Sequence, residues 1–325
     1  MATVDLARDH QTQTATSSAS KTGLVNTVYK FLSGVPSWIL WIIVILWTTP
    51  TLSLFVNSFR GREDQRSSVF WRTTPDQLTM DNYSTVWNSQ AAGGLKEGFV
   101  NSFAIAIPAT IIPIAIAAFA AYAFAWIEFR GRELMFIGLV SLLAIPNQVA
   151  LLPLLQTYAG GAHQTIPFTE KTITLIPDLG LQGTSNAVWL SHIGFALPFA
   201  VFLLHNYMKS LPKDIFESAR IDGADHFTIF WRLVLPLSIP VLAAFAIFQF
   251  LWTWNDYLIA TTMLGAGGGG STPLTVRIAA LVGEFGRNEH LLTAGAFVMS
   301  AVPLMVFFAL QKYFVKGLLA GSVKG

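Results

Sequence analysis

The chain has 325 residues, of which 53% are hydrophobic and 12% charged, with a net charge of +2 and a mean hydropathy of +0.54. Soluble domains carry about 25% charged residues, so half that share indicates a polytopic membrane protein, and the small net charge gives no reason to expect a nucleic acid partner. The lack of cysteine excludes disulfides, thiolate metal ligands and thiol catalysis.

The first 36 residues are polar and include the low-complexity run Gln11–Ser20, a composition that predicts a disordered cytoplasmic tail. The apolar segment after it is long and lacks a small-residue cleavage site, unlike a secretory signal. A helix crosses the hydrocarbon core with roughly 20 apolar residues. Six segments meet that length: about Trp38–Phe59, Phe99–Trp126, Leu134–Tyr158, Val188–Met208, Pro236–Met263 and Thr293–Phe314. Backbone groups in lipid must be paired internally, which leaves the helix as the spanning element. The expected fold is therefore all-α, a polytopic membrane protein whose membrane domain occupies 37–325. With the N-terminus inside, twelve Lys and Arg fall on the inner side and eight outside; this bias predicts N-in, C-in. Arg60 and Arg62, at the outer end of the first span, run against it.

The second and third spans carry Pro108, Pro113, Pro146 and Pro153, each removing a backbone donor and loosening its helix. Between the fourth and fifth spans lies a charged loop, 209–235. Ser210 and Pro212 suit a helix start. The helix should end near Ile221 or Asp222, with Gly223 in the left-handed position that closes it. A second short helix should run from about Asp225 to Val234 before Pro236 and Pro240. Ile215, Phe216 and Ala219 mark an apolar face on the first helix, and Phe227, Phe230 and Val234 one on the second. Four acids and four cations between Lys209 and Arg232 make a balanced surface, better suited to a protein partner than to lipid headgroups, which favour Lys and Arg.

Asp256 is the only acid well inside a predicted span, where a carboxylate costs about 2.5–3.5 kcal/mol and so faces the bundle interior or the helix end. Gln249, Trp252, Asn255 and Asp256 fall within two helical turns, and a ring flanked by amides suits sugars. The alternatives are interhelical hydrogen bonds that fix packing and, for Trp252 and Trp254, an interfacial aromatic belt. The loops Gly160–Gly183 and Gly265–Thr272 are candidate contacts for an outer partner. No phosphate-binding Gly-x-x-x-x-Gly-Lys loop occurs, and the six histidines lack metal-ligand spacing. No cofactor, metal or catalytic residue is expected.

Glu217-Ser-Ala-x-x-Asp222-Gly223-Ala224, followed by Phe230, Leu235-Pro236 and Pro240, resembles the "EAA" loop of ATP-binding-cassette importer permeases, with Ser218 where alanine is usual. Phe99-Val-Asn-Ser102, Trp252-Thr-Trp-Asn-Asp256 and the ending Phe314–Gly325 resemble segments of the maltose-type carbohydrate permeases, and the wording around Trp231 is similar to α-glucoside permeases. The likeness runs from about Trp38 to the last residue. It implies half of a translocation pathway, a second permease subunit, two cytoplasmic ATPase subunits that hydrolyse ATP, an extracellular sugar-binding protein and a place in the cell membrane. It also implies that Glu217, Ala219, Asp222, Gly223 and Ala224 carry the coupling contact, and that the C-terminal ending reaches the ATPases. A same-fold importer of a non-sugar solute and an ion-coupled carrier are the alternatives.

Overall fold

The computed structural model describes residues 34, 36–88, 94–166, 172–265, 269–281 and 288–320, with side chains as far as residue 311. Expectations for the polar tail, for Gly267 and Gly268, and for the side chains of the C-terminal ending fall outside the described residues. The chain divides into two compact units, residues 1–56 and 57–325. The first holds most of α1, Ser37–Ser58, whose apolar side chains are mostly exposed, Trp47 to 85%.

The second unit begins with a small polar cap. Helices α2 (Arg62–Ser67) and α3 (Asp81–Asn88) flank a turn-rich segment. Its centre is Arg60, which is fully buried and whose acceptors are all neutral: Asn57 Oδ1, the Asp64 carbonyl, and the carbonyl and hydroxyl of Ser68. Asn82 closes the cap from the far side, donating to the carbonyls of Ser58 and Arg60 at 2.9 and 2.8 Å. The cation that ran against the charge bias is thus the folding centre of its own loop.

Among the described residues, four helices are long and apolar enough to cross a membrane, and two bent pairs bring the number to six. The four are α1, α4 (Leu95–Trp126), α7 (Ser185–Lys209) and α14 (Glu289–Ala320). The predicted third span is broken: α5 (Arg132–Ser141), with a 3₁₀ turn to Ala144, meets α6 (Asn147–Gly160) at 101°. Pro146 lies at the break rather than inside a helix, because a residue before proline is driven out of the helical region, and Ile145 is extended, at φ −86° and ψ 118°.

The predicted fifth span, Pro236–Met263, is also corrected. It breaks at Ser238, where the helical stretch His226–Leu237 meets α11 (Ile239–Trp254) at 68°, and it ends at Trp254. A separate helix, α12 (Leu258–Leu264), follows. The loop after α6 contains an antiparallel pair, β1 (Ala162–Thr165) and β2 (Thr172–Ile176), which apolar periodicity did not signal.

α4 and α7 form the most extensive helix pair. Their contact is lined with small residues, among them Ala117, Ala118 and Ala121 with Ala196 and Ala200, which let backbones approach closely where lipid supplies no hydrophobic drive. At the other end of α4, Asn101 donates to the carbonyls of Gly270 and Thr272, and Ser102 Oγ accepts from the Leu274 amide at 2.9 Å. These bonds hold the segment leading to α13 (Leu274–Ala280) on α4. Arg277, buried to 5% exposure, reaches Glu97 at 3.2 Å and the Gly94 carbonyl at 2.8 Å.

Gly98 leaves room for that arginine: a Cβ there would lie 2.6 Å from Arg277 Cδ and 3.2 Å from the Leu274 backbone. Gly98→Ala should therefore lower the unfolding free energy by about 1–3 kcal/mol, read as a fall in Tm in detergent. Gly138→Ala, on α5 with nothing within 4 Å, should hold or raise Tm, since alanine is favoured by about 1 kcal/mol in a helix.

Candidate functional site: a charged knuckle and the broken fifth span

The loop after α7 folds as a bent pair of short helices. α8 (Lys213–Ile221) starts after Pro212, and Ser210, expected to cap it, instead donates to the Tyr207 carbonyl and closes α7. The end of α8 is a Schellman motif: the Ala224 amide donates to the Ala219 carbonyl at 2.9 Å and the Gly223 amide to the Arg220 carbonyl at 3.0 Å. Gly223 has φ +83°, which a side chain would strain. The motif gives Ala219, Asp222, Gly223 and Ala224 their spacing.

Asp225 then caps α9 (His226–Ile229), its carboxylate accepting from the Thr228 amide at 2.8 Å. Bonds from Thr228 hold this carboxyl below the ordinary carboxylate range. The cap is therefore complete at neutral pH and is lost only as pH falls through that lowered value. A π-helical turn, Phe230–Val234, and α10 (Leu235–Leu237) lead to the fifth span.

The knuckle is anchored on an aromatic stripe of α4. Trp126 stacks on Phe216 at 3.8 Å, Phe119 on Phe230 at 4.7 Å, and Tyr122 hydrogen-bonds His226 Nδ1 at 2.9 Å. Phe216, Phe230 and Val234 are buried as expected. Phe227 is not: it is 67% exposed, beside Ile221 at 86%, because the turn at Gly223 aims both outward. Glu217 and Asp222 are exposed with them. Among the described residues none of Lys213, Asp214, Glu217, Arg220 and Asp222 forms an ion pair. The tip is thus a mixed apolar and charged surface whose charges find no ion-pair partner among the described residues.

The second cluster lies along α11 and the break beyond it, and the structure divides it. Gln249 is buried to 1% exposure and donates to the Ala109 carbonyl at 3.1 Å. That carbonyl lacks its helical donor because Pro113 stands four residues on. Trp254 repeats the device: buried to 2%, it donates to the Met299 carbonyl at 3.1 Å, four residues before Pro303. Trp254 is therefore a core donor and not an interfacial belt residue.

Asn255 ends α11, its Nδ2 bonding the Leu251 carbonyl at 2.8 Å. Asp256 lies in the break and not within a span. Its two carboxylate oxygens accept from the amides of Ile259 and Ala260 at 3.2 and 2.9 Å, starting α12. His192 of α7, fully buried, places Nε2 3.5 Å from Asp256 Oδ2 and its ring edge-on to Trp252. A single histidine in an apolar stretch was the only sequence signal for it.

Gln249 and Trp252 line a cavity of about 430 Å³ between α6, α7 and α11, with Asn147, Phe199 and Phe248. Trp252, Asn255 and Asp256 line an open groove of about 660 Å³ with Tyr257. Such walls of aromatic faces with a few amides suit an uncharged ring bearing hydroxyls. The described residues hold no group of three metal-ligating side chains.

The family described as binding-protein-dependent transport system inner membrane component matches residues 114–319. The chain is 46% identical to the osmoprotective compounds uptake permease protein GgtD of Synechocystis sp., over 95% of this chain and 99% of that one. It is 51% identical to the alpha-glucoside transport system permease protein AglG of Rhizobium meliloti, over 82% of this chain and 65% of that one. A crystal structure of a bacterial ABC transporter involved in the import of alginate contains a chain with the same fold, at TM-score 0.68 and 19% identity, covering 88% of this chain and 96% of that one.

Two outcomes test the geometry. Gly223→Val should abolish transport while the chain still inserts, and Gly223→Asn, which tolerates positive φ, should retain most of it; solute uptake beside membrane-fraction immunoblots reads both. Asp256→Ala should cost about 1 kcal/mol of stability through the lost cap, whereas Asp256→Asn, which keeps an acceptor, should cost less in Tm and more than Glu128→Gln in uptake.

Proposed function

The chain belongs to the binding-protein-dependent transport system inner membrane components, and we propose that the system it serves is an ATP-driven carbohydrate importer in which it forms half of the translocation pathway. A second permease subunit supplies the other half, two cytoplasmic ATPase subunits supply the work, and an extracellular sugar-binding protein delivers the cargo. The observation that carries this reading is the knuckle: an exposed, conformationally fixed tip with unmatched charge, set on the end of a long membrane helix. Glu217, Ala219, Asp222, Gly223 and Ala224 make the coupling contact with an ATPase subunit, with Ile221 and Phe227 as its apolar anchors. Gln249, Trp252, Asn255 and Asp256 line the pathway, Trp252 offering its ring face to a sugar and Asn255 its amide to a hydroxyl.

The relative named for alpha-glucosides supports that sugar class, with its 51% identity. The relative named for osmoprotective compounds, matched over nearly its whole length, favours a second reading in which the cargo is a compatible solute. ATP-dependent uptake into proteoliposomes holding the complete complex separates the two. A labelled α-linked disaccharide should accumulate, an excess of a second α-glucoside should suppress it, and zwitterionic osmolytes should not compete. Accumulation by this chain alone, without an ATPase, would overturn the assignment.

A further inference from the structure

We propose that Gln249 is a positioning residue of the transport stroke, joining a proline hinge in α4 to the wall of the 430 Å³ cavity. This rests on the reading of the chain as an ATPase-driven permease. Every principal attachment of the knuckle described above goes to α4: Phe119, Tyr122 and Trp126 receive Phe230, His226 and Phe216. A push on the knuckle is therefore a push on the end of α4. That end is separated from the rest of α4 by Pro113, where the missing amide frees the Ala109 carbonyl and lowers the resistance of the helix to bending.

A freed carbonyl in an apolar interior demands a donor. The donor is the amide of Gln249, held from the adjacent helix and braced by Thr253 Oγ1 at 3.4 Å. The same side chain lines the cavity beside Trp252. Bending at Pro113 displaces the Ala109 carbonyl, and the hydrogen bond carries that displacement to α11, where it reshapes the cavity wall. Trp254 plugs the carbonyl freed by Pro303 in the same way, yet the described side chains of α14 make none of the aromatic contacts that receive the knuckle. It is the built-in comparison for a plug that serves packing alone.

The test uses the complete transporter in proteoliposomes and reads solute moved per ATP hydrolysed. Gln249→Leu should lower the solute-to-ATP ratio about tenfold, the scale of a coupling free energy between sites, and leave the half-saturating solute concentration unchanged, which the loss of a solute contact would raise. Trp254→Phe should lower Tm and leave the ratio unchanged. Adding Pro113→Ala to Gln249→Leu restores a helical donor to Ala109; Tm should return and the ratio should stay low, since the link between the helices is still missing. A ratio that recovers in the double variant would reduce Gln249 to a plug and sink the proposal, as would a Gln249→Leu variant whose uptake and hydrolysis fall in proportion. If wild-type complex shows no ATP-driven uptake, the functional reading fails instead.

Discussion

A backbone carbonyl that loses its helical donor inside a bilayer needs another donor, and at two places in this chain a side chain of one helix supplies it. Pro113 and Pro303 each free a carbonyl in the middle of a long helix. The two donors that answer, Gln249 and Trp254, sit on one helix, α11, five residues apart in sequence, and both are almost wholly buried. α11 is thereby fastened to α4 on one side and to α14 on the other by hydrogen bonds as well as by packing. An unpaired amide or carbonyl at such depth costs several kcal/mol, more than one apolar contact returns, so the pairing fixes the rotation of α11 about its own axis. That rotation in turn decides which residues of the helix face the cavity.

The knuckle obeys a different rule. Its backbone is fixed by the Schellman closure at Gly223 and by the Asp225 cap, and its underside by three aromatic residues of α4. What remains outside is a tip that buries nothing of its own. Most of the work of holding it is done by rings stacked on rings, contacts worth about 0.5–1.5 kcal/mol each beyond their area. The loop can thus be pressed without coming apart, while the helix beneath it lacks one backbone hydrogen bond at Pro113. Stiffness at the surface and compliance in the span are encoded about ten residues apart on α4.

Much of this was legible in the sequence, and the division follows physical lines. Six apolar stretches, the turn at Gly223, a second short helix from about Asp225 and the burial of Phe216, Phe230 and Val234 follow from local composition and periodicity, and the structure has them, whereas Ile215 and Phe227 of the same expected faces are exposed. Proline was read as removing a backbone donor, but where the freed carbonyl finds a new one was not. Pro108, Pro113, Pro153, Pro198 and Pro303 lie inside helices, while Pro146 marks a 101° break. For Pro113 and Pro303 the donors that repair the helix come from α11, across more than 40 residues of chain, and no local pattern records them. Gln249 and Trp254 were visible as polar groups in a span, though not as plugs for particular carbonyls. The end of the fifth helix at Trp254 was missed for a similar reason: hydropathy continues through Asn255 and Asp256, whose side chains make the break. His192 and the β1–β2 pair gave almost no pattern to find.

Arg60 and Arg277 point to a last property. Both are cations of the loop side of the bundle, and both are buried, one among neutral acceptors and the other against Glu97 and backbone carbonyls. Folded away like this, their charges are poorly screened by mobile ions. What these two cations do for their loops therefore owes little to salt, and the packing at both places should hold alike in dilute and in concentrated brine.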